Sequence, residues 1–339
     1  MAAVGTPPGA AHRLLAPFLR GPARDHLAER GGRRLEPDLA ILLALVDRFG
    51  WPDFANLDPA SARLEIEREG RVFAPRPDRA VSMTTLDVPG AAGTLPARLY
   101  VPAGAPARGP LLLYLHGGGW VFGSPAGYDG VCRFIARHAH VRVLSASYRL
   151  APEHRFPAAP QDALAALDWT LANAERLGAD RVGVGGDSAG GNLAAVATGA
   201  RRERIAFQLL IYPVMDLSRE HDSYATFADG PLLTADHMRW FRARYLSSED
   251  DARDPRASPL LADDLAGTPP TYLALAGLDP LYDEGLAYGV RLNEAGVDTT
   301  VAPNPGQAHA FAELTRASPT ARSALAHACR WLAAPPPRR

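Results

Sequence analysis

The sequence contains no lysine, and all 36 of its basic residues are arginines. Several kinds of catalytic site need a lysine and are therefore excluded. A Walker P-loop places a lysine on the bound phosphates, a pyridoxal enzyme forms a Schiff base with a lysine, and a Ser–Lys dyad uses a lysine as its base. This chain can form none of these three sites.

Cysteine is also scarce, because Cys132 and Cys329 are the two thiols of the sequence. Two cysteines are too few for a disulfide framework, and they form no CxxC metal pattern. We expect both to be small buried apolar residues. The ten histidines show no HExxH motif and no paired ligand spacing. We therefore expect no bound metal and no cofactor.

Long hydrophobic runs are missing as well, since no apolar run approaches the roughly 18 residues of a membrane span. The N-terminal region has no sustained apolar stretch of the kind found in signal peptides. The formal net charge of −1 gives no whole-chain attraction to nucleic acid or anionic lipid. We expect a cytoplasmic protein that binds neither nucleic acid nor membranes. Its oligomeric state is left open, with a homodimer as one alternative.

The composition is that of a globular protein, with 47% hydrophobic and 22% charged residues. A chain of 339 residues fits one catalytic domain with an accessory lid better than two equal domains. Residues 1–34 are rich in Ala, Gly, Pro and Arg, which predicts a poorly ordered extension. Apolar residues at helical spacing predict a helix from Pro37 to Gly50. Asp58 followed by Pro59 predicts the start of a second helix.

Short apolar segments dominate from residue 80 onward. Strands are predicted at 80–88, 97–101, 111–115, 141–146, 182–184, 207–212, 272–276 and 298–302. Helices are predicted at 161–177, from 189, at 234–245, at 282–295 and up to 332. This alternation is typical of an α/β fold with a mostly parallel central sheet flanked by helices. It breaks between 216 and 259, which indicates an insertion.

The pentapeptide Gly-Asp-Ser-Ala-Gly at 186–190 fits the G-x-S-x-G nucleophile elbow. It lies between a predicted strand and a predicted helix, as that motif requires. The glycines are needed because the turn is strained and neighbouring chain passes close to it. A phosphate-binding P-loop would need Lys followed by Ser or Thr where Gly191 and Asn192 stand. Ser188 is therefore the candidate nucleophile.

A second glycine-rich loop, His-Gly-Gly-Gly-Trp at 116–120, directly follows the predicted strand 111–115. In an α/β-hydrolase this loop supplies backbone N–H groups to the oxyanion hole, and the residue after the nucleophile supplies another. Successive glycines let bare backbone approach a substrate carbonyl oxygen. Each fixed donor in such a site is worth about 3–4 kcal/mol. The two loops together favour a hydrolase over an incidental glycine-rich turn.

The acid of a catalytic triad should follow the nucleophile in this fold. Asp279 comes just after the predicted strand 272–276, at the end of the sheet where α/β proteins collect functional groups. Because Pro280 follows, Asp279 also suits a helix N-cap. Asp283 and Glu284 remain rivals for the acid. The sequence thus favours Asp279 without excluding its neighbours.

The base of the triad should be a histidine after the acid. Two histidines, His309 and His327, meet that condition. His327 falls within the predicted final helix, whereas His309 stands on a loop after the predicted strand 298–302. His309 is therefore the candidate base.

At these residues the chain resembles the hormone-sensitive-lipase family of bacterial α/β-hydrolases, in its GDSAG branch. The likeness covers roughly residues 37–331 and rests on several long motifs in the family's order. They are HGGGW at 116–120, YRLAPEH at 148–154, GDSAGGN at 186–192, DPLYDEG at 279–285 and the loop of His309.

The resemblance implies an α/β-hydrolase fold with a triad, an oxyanion hole and a helical cap. The implied triad is Ser188, Asp279 and His309. The implied oxyanion hole is Gly118, Gly119 and Ala189, with Gly117 adjoining. The cap is assigned to 35–78 and 216–259, and the catalytic domain to 79–215 and 260–334.

The resemblance also implies that Arg149, Glu153 and His154 brace the loops beneath the site. One departure lies beside the candidate base, where Ala310 occupies a position at which the family usually has glycine. This difference leads us to expect a slight shift of the histidine loop.

These residues predict a serine carboxylesterase that hydrolyses short- to medium-chain esters of small molecules through an acyl-enzyme. An amidase, arylformamidase or lactonase on the same triad stays open, because the leaving group is selected by the pocket. A ligand-binding protein without turnover is the alternative from another class, although such a protein should lack a triad member. Trp120, Tyr212, Met215 and Phe311 are candidate pocket walls, and each could equally be ordinary core.

Overall fold

The computed structural model describes residues 29–49, 53–73 and 78–337. Its centre is an eight-stranded sheet with the order β1-β2-β4-β3-β5-β6-β7-β8. The strands are β1 Val81–Gly90, β2 Gly93–Pro102, β3 Gly109–Leu115, β4 Arg142–Ala146, β5 Ala179–Asp187, β6 Gln208–Ile211, β7 Thr271–Leu278 and β8 Thr299–Ala308. β1 and β2 are antiparallel to their neighbours, and the strands from β3 to β8 are parallel. The predicted mostly parallel α/β fold is confirmed.

Helices cover the sheet and the ends of its strands. They are α1 Pro37–Phe49, α2 Pro59–Phe73, α3 Asp129–Ala139, α4 Ala158–Ala172, α5 Ala189–Arg201, α6 Asp222–Thr226, α7 Ala235–Tyr245, α8 Tyr282–Glu294 and α9 Pro319–Ala333. Each described helix is too short or too polar to span a lipid bilayer.

The sheet is covered on both faces, and apolar side chains from both faces of its central strands pack into hydrophobic clusters. In β3 the side chains of Leu111 and Leu113 pack into one hydrophobic cluster with α4, α5 and α8. Their neighbours Leu112 and Tyr114 point to the opposite face and pack into a second cluster with α1, α3 and α9. Alternate residues of one strand therefore build two separate cores.

Helix α3 is present in the structure but was not predicted from the sequence. Its buried residues recur at helical spacing and include Val131, Cys132, Ile135 and Ala139. The helix begins shortly after the glycine-rich loop, so its short amphipathic pattern had no clear start. Cys132 and Cys329 are both buried free thiols.

Strand β8 is longer than predicted, since it runs to Ala308 rather than to residue 302. The added part of the strand contains Pro303 and Pro305, and proline lacks the N–H that a sheet ladder needs. β8 lies at the edge of the sheet and pairs with β7 alone. An edge strand tolerates proline when the missing N–H would face outward.

The predicted extension 1–34 is only partly covered, because residues 1–28 lie outside the described residues. Residues 29–34 differ from the prediction, since they form a turn held by a bridge between Arg30 and Arg33. The Arg33 guanidinium donates to the Gly277 carbonyl over 2.6 Å and lies 3.8 Å from the centre of the Tyr282 ring. These contacts fix the segment against the end of β7.

The core of the sheet supports a stability test at Leu113, which is fully buried. Leu113→Ala should lower the free energy of unfolding by about 2–5 kcal/mol, since truncation leaves a cavity between β3 and the helices. Leu64→Ala is the matched control, because the Leu64 side chain is 70% exposed. This substitution should change the free energy of unfolding by less than about 0.5 kcal/mol. Urea unfolding measures both, and equal losses would contradict the assigned core.

Candidate active site

Three strands end immediately before the three candidate triad residues. β5 ends at Asp187, β7 at Leu278 and β8 at Ala308, so Ser188, Asp279 and His309 are each the first residue beyond a strand. Parallel strands present their carboxyl ends at the same edge of the sheet. The sheet therefore brings together three residues that are far apart in sequence.

The candidate triad side chains form a continuous hydrogen-bonded row. Ser188 Oγ lies 3.0 Å from His309 Nε2, and His309 Nδ1 lies 2.7 Å from Asp279 Oδ2. The other Asp279 oxygen accepts the Leu281 N–H over 2.9 Å. All three side chains are buried, so water competes little for these bonds. The Tyr212 ring packs against the His309 ring at 4.6 Å and limits its movement.

The two rivals for the acid are engaged elsewhere. Asp283 Oδ2 accepts the Ser223 N–H over 2.8 Å at the start of α6. Glu284 Oε1 accepts the Met215 N–H over 2.7 Å. The geometry therefore favours Asp279 as the partner of the histidine.

The backbone at Ser188 is strained in the way that a nucleophile elbow requires. Its φ is 53° and its ψ is −121°, a backbone conformation that residues other than glycine rarely adopt. A Cβ at Gly186 would lie 2.4 Å from the Leu115 carbonyl oxygen, and a Cβ at Gly190 would lie 2.0 Å from the same atom. Both positions therefore need glycine so that the turn can pack against the end of β3.

The glycine-rich loop carries the candidate oxyanion donors. In the described part of the chain, the N–H groups of Gly118, Gly119 and Ala189 donate to no protein acceptor, and all three residues adjoin Ser188 or the cavity in front of it. Gly117 differs from the prediction, because its N–H already donates to Asp187 Oδ1 over 3.0 Å. Gly117 thus anchors the loop and leaves its neighbours to face a substrate.

Gly119 also has a close neighbour across the cavity. Its φ of 58° lies in the left-handed region, and a Cβ there would come within 2.1 Å of the Phe241 ring on α7. A side chain at this position would therefore push α7 away from the loop.

A histidine and a tyrosine support the loop from below. His116 is fully buried and stacks on Tyr148 with a ring separation of 4.4 Å. Burial lowers the pKa of His116 to about 4, so its imidazole is neutral at ordinary pH. The Tyr148 hydroxyl donates to the His116 carbonyl over 2.8 Å.

The YRLAPEH segment braces the surrounding loops as expected for Arg149 and Glu153. Arg149 Nε donates to the buried Asp162 carboxylate over 2.7 Å. Glu153 pairs with Arg63 of α2 over 2.6 Å, and Arg63 Nε donates to the Val121 carbonyl over 2.8 Å. Through Arg63, this segment ties α2 to the residues after the glycine loop. His154 makes a backbone hydrogen bond only, from its N–H to the Leu150 carbonyl, among the described contacts.

Ala310 adopts the left-handed conformation, with a φ of 61°. Glycine reaches this region without a steric penalty, whereas alanine does not. The backbone after His309 therefore keeps a glycine-like conformation although the residue is alanine.

A cavity of about 550 Å³ opens in front of Ser188 and His309, a size typical of small-molecule sites. Its apolar wall comes largely from the regions of α1, α2 and α7. Prominent members of that wall are Leu42, Leu43, Phe54, Leu233, Met238 and Phe241. The sequence did not point to these residues, because an amphipathic pattern does not tell which apolar side chains face a cavity.

The four predicted pocket walls do not line the cavity. Trp120 is fully buried and stacks on Tyr245 at 4.1 Å. Tyr212 and Phe311 pack on each other at 5.0 Å behind His309, and Met215 is also fully buried. Their packing differs from the prediction, because closeness in sequence to a catalytic motif does not decide whether a side chain faces the cavity or the core.

Among the residues that the structure describes, no group of three or more His, Cys, Asp or Glu side chains could hold a metal ion.

Comparison with known proteins identifies the family. A family model described as "alpha/beta hydrolase fold" matches residues 112–313. The chain is 41% identical to the carboxylic ester hydrolase LipN of Mycobacterium tuberculosis over 84% of its length and 78% of LipN. It is 40% identical to an ethyl acetate hydrolase of Pseudomonas putida, covering 82% of this chain and 92% of that protein.

Solved structures of esterases are also similar to this chain. An ester hydrolase from the metagenome of Lake Arreo, complexed with a derivative of bipyridine phosphonate, superposes with a TM-score of 0.85 at 41% identity, over 88% of this chain and 98% of that one. A hyperthermophilic esterase from Pyrobaculum calidifontis superposes with a TM-score of 0.81 at 36% identity, over 88% and 97%. The chain belongs to the hormone-sensitive-lipase family of α/β-hydrolases. This membership places it among the carboxylic ester hydrolases.

The packing of the elbow supports a test with two glycines of one helix. Gly190→Ala should lower the free energy of unfolding by roughly 1–3 kcal/mol, because the new Cβ meets backbone oxygen atoms that cannot move away. Gly199→Ala is the control, since a Cβ there meets nothing within 4 Å and should be neutral or stabilise the helix by up to about 1 kcal/mol. Urea unfolding compares the two, and similar effects at both positions would be evidence against the close approach.

Proposed function

We propose that this chain hydrolyses carboxylic esters of small molecules through an acyl-enzyme on Ser188. The observation that carries the proposal is the row of hydrogen bonds from Ser188 through His309 to Asp279, with distances of 3.0 and 2.7 Å. His309 acts as general base and then as general acid. Asp279 orients the imidazole and stabilises its charged form.

In the first half of the reaction, Ser188 Oγ attacks the ester carbonyl carbon while His309 Nε2 takes the hydroxyl proton. The carbonyl oxygen becomes an oxyanion and accepts hydrogen bonds from the free N–H groups of Gly118, Gly119 and Ala189. His309 then gives its proton to the departing alcohol, which leaves an acyl-serine.

In the second half, a water molecule replaces the alcohol. His309 takes a proton from that water as its oxygen attacks the acyl-serine carbonyl. The oxyanion forms again at the same donors, and its collapse releases the carboxylic acid while Ser188 regains its proton from His309. Each step uses groups within this one site, and no cofactor takes part.

We also propose that residues 35–78 and 216–259 form a cap over the catalytic domain of 79–215 and 260–334. Two contacts between the cap segments support this. His237 Nε2 of α7 lies 3.0 Å from Asp53 Oδ1, and Phe54 packs on Phe241 at 5.3 Å. Because both segments line the cavity, the cap sets the space that is open to the acyl and alcohol groups of a substrate.

The relatives support an ester as the substrate class. One is named an ethyl acetate hydrolase and another a carboxylic ester hydrolase, and a structural neighbour was solved with a phosphonate derivative. The apolar wall and the limited volume of the cavity favour short to medium acyl chains. Amides and lactones need the same triad and oxyanion hole, so the pocket decides between them.

The triad assignment predicts the effects of two substitutions on the hydrolysis of p-nitrophenyl acetate. Ser188→Ala should lower kcat by about 10⁴-fold or more, because it removes the nucleophile. Asp279→Asn should lower it by about 10⁴-fold, since the histidine then takes the wrong tautomer.

Ser82→Ala is the matched control, because Ser82 is exposed on β1 and should keep the wild-type rate. Far-UV circular dichroism establishes that each variant is folded. Equal rates for native protein and Ser188→Ala would favour a ligand-binding protein without turnover.

The cavity predicts selectivity along a series of p-nitrophenyl esters. We expect kcat/KM to be highest for acetate to octanoate and to fall by about tenfold or more for palmitate, because a long chain would have to displace the cap. An anilide and a lactone in the same assay separate amidase and lactonase activities from esterase activity. A maximum at palmitate would contradict the proposed role of the cap.

A further inference from the structure

A pair of carboxyl groups, one buried and one half-buried, lies next to the site, and the proposed mechanism does not use it. Asp187, the residue before the nucleophile, is buried and accepts hydrogen bonds from the Tyr114 hydroxyl at 2.8 Å, the Gly117 N–H at 3.0 Å and the Tyr128 hydroxyl at 3.2 Å. Glu313 lies on the turn after His309, and its Oε1 is also 3.2 Å from the Tyr128 hydroxyl oxygen. Tyr128 therefore stands between two carboxyl groups.

One hydroxyl proton cannot serve both of these contacts. Tyr128 can donate to Asp187 or to Glu313, because a tyrosine hydroxyl carries one proton and also accepts. If Glu313 and Asp187 are both ionised, the Tyr128 hydroxyl donates to one of the two carboxylates, and the contact with the other carboxylate has no proton between its two oxygen atoms. If Glu313 is protonated, it donates to the Tyr128 oxygen, and Tyr128 donates to Asp187. Both 3.2 Å contacts are then satisfied.

We propose that Glu313 is a positioning residue of this site that works as a neutral carboxylic acid, donating to Tyr128 so that Tyr128 donates to Asp187. The consequence concerns the oxyanion loop, because Asp187 also holds the Gly117 N–H. The row from Glu313 to Gly117 fixes the glycine loop against the nucleophile elbow. This inference rests on the proposed ester hydrolysis.

The surroundings favour the neutral form of Glu313. Its side chain is half-buried, and its open side lines the cavity. Burial and the negative charge of Asp187 raise the pKa of Glu313 to about 8. Burial also raises the pKa of Asp187, but its three donors oppose this shift. The proton that the pair shares at neutral pH therefore belongs on Glu313.

Other groups must be considered before a pH effect is assigned to Glu313. The titratable or charged residues on the elements around it are Asp187, Tyr114, Tyr128, Asp129, Tyr212, His309, Arg316, Arg322 and, across the cavity, Asp47, Asp53 and His237. Burial raises the pKa of the three tyrosines well above their ordinary value of about 10. The chain has no lysine, and burial raises the pKa of both thiols. Glu313 is the carboxyl group at this site whose pKa is raised to about 8, and the expected pH effect is assigned to it through its contact with Tyr128.

Ionisation of Glu313 should impair the reaction. It removes a donor from Tyr128 and adds a negative charge near the place where the oxyanion forms. We therefore expect kcat/KM of the wild type to fall above about pH 8, in background-corrected rates with p-nitrophenyl acetate. Glu313→Gln keeps an N–H donor to Tyr128 and cannot ionise, so its alkaline decrease should vanish or move up by about one pH unit or more.

Glu313→Leu isolates the effect of the donor, because leucine, like glutamine, cannot ionise but has no N–H to give to Tyr128. Its kcat/KM at pH 7 should be about tenfold lower than that of Glu313→Gln, with a smaller change in KM than in kcat. Glu175→Gln is the surface control, because Glu175 is 87% exposed and should keep the wild-type pH profile. An unchanged alkaline decrease in Glu313→Gln, or equal activity of the Leu and Gln variants, would overturn the proposal.

A thermal measurement tests the protonation of Glu313 without any activity. A carboxyl group whose pKa is raised in the folded state stabilises the protein at low pH, and that contribution is lost as the pH rises through the folded-state pKa. The Tm of the wild type should therefore fall relative to that of Glu313→Gln between about pH 5 and pH 8, and the difference should then become constant. A difference that does not depend on pH would show that Glu313 is ionised throughout. If the wild type fails to hydrolyse esters, this measurement still decides the state of Glu313.

Discussion

The hydrogen bond between Ser188 and His309 joins two residues that are 121 positions apart in the chain, and the proposed chemistry of the site depends on it. The sheet sets the positions of both residues. Each is fixed because it is the first residue after a strand of the parallel sheet. The register of the strands therefore aligns the members of the proposed triad, and Asp279 is likewise the first residue after β7.

Close backbone packing holds the elbow and the glycine loop in fixed positions relative to each other. The elbow approaches the end of β3 so closely that Gly186 and Gly190 leave no room for a Cβ. Asp187 then links the elbow to the glycine loop through the Gly117 N–H. The proposed nucleophile and the candidate oxyanion donors are thereby held as one unit, and such preorganisation stabilises a developing oxyanion.

The sequence was sufficient for those parts of the site that are encoded locally. The elbow, the glycine loop, Asp279 and His309 each follow a recognisable apolar strand, so their positions could be inferred from fold rules. The cavity wall could not, because it depends on how helices α1, α2 and α7 are oriented over the sheet. Trp120 shows the difficulty, since it directly follows the three glycines of the loop and yet packs into the core against Tyr245.

The most direct test of the central claim is to identify the residue that a tetrahedral, ester-like phosphonate labels. The protein is incubated with a p-nitrophenyl phosphonate, and its mass and peptides are analysed by mass spectrometry. We predict one adduct per chain, located on Ser188, with labelling lost in the Ser188→Ala variant. An adduct on another residue, or no adduct on folded protein, would contradict the account of Ser188 as the activated nucleophile.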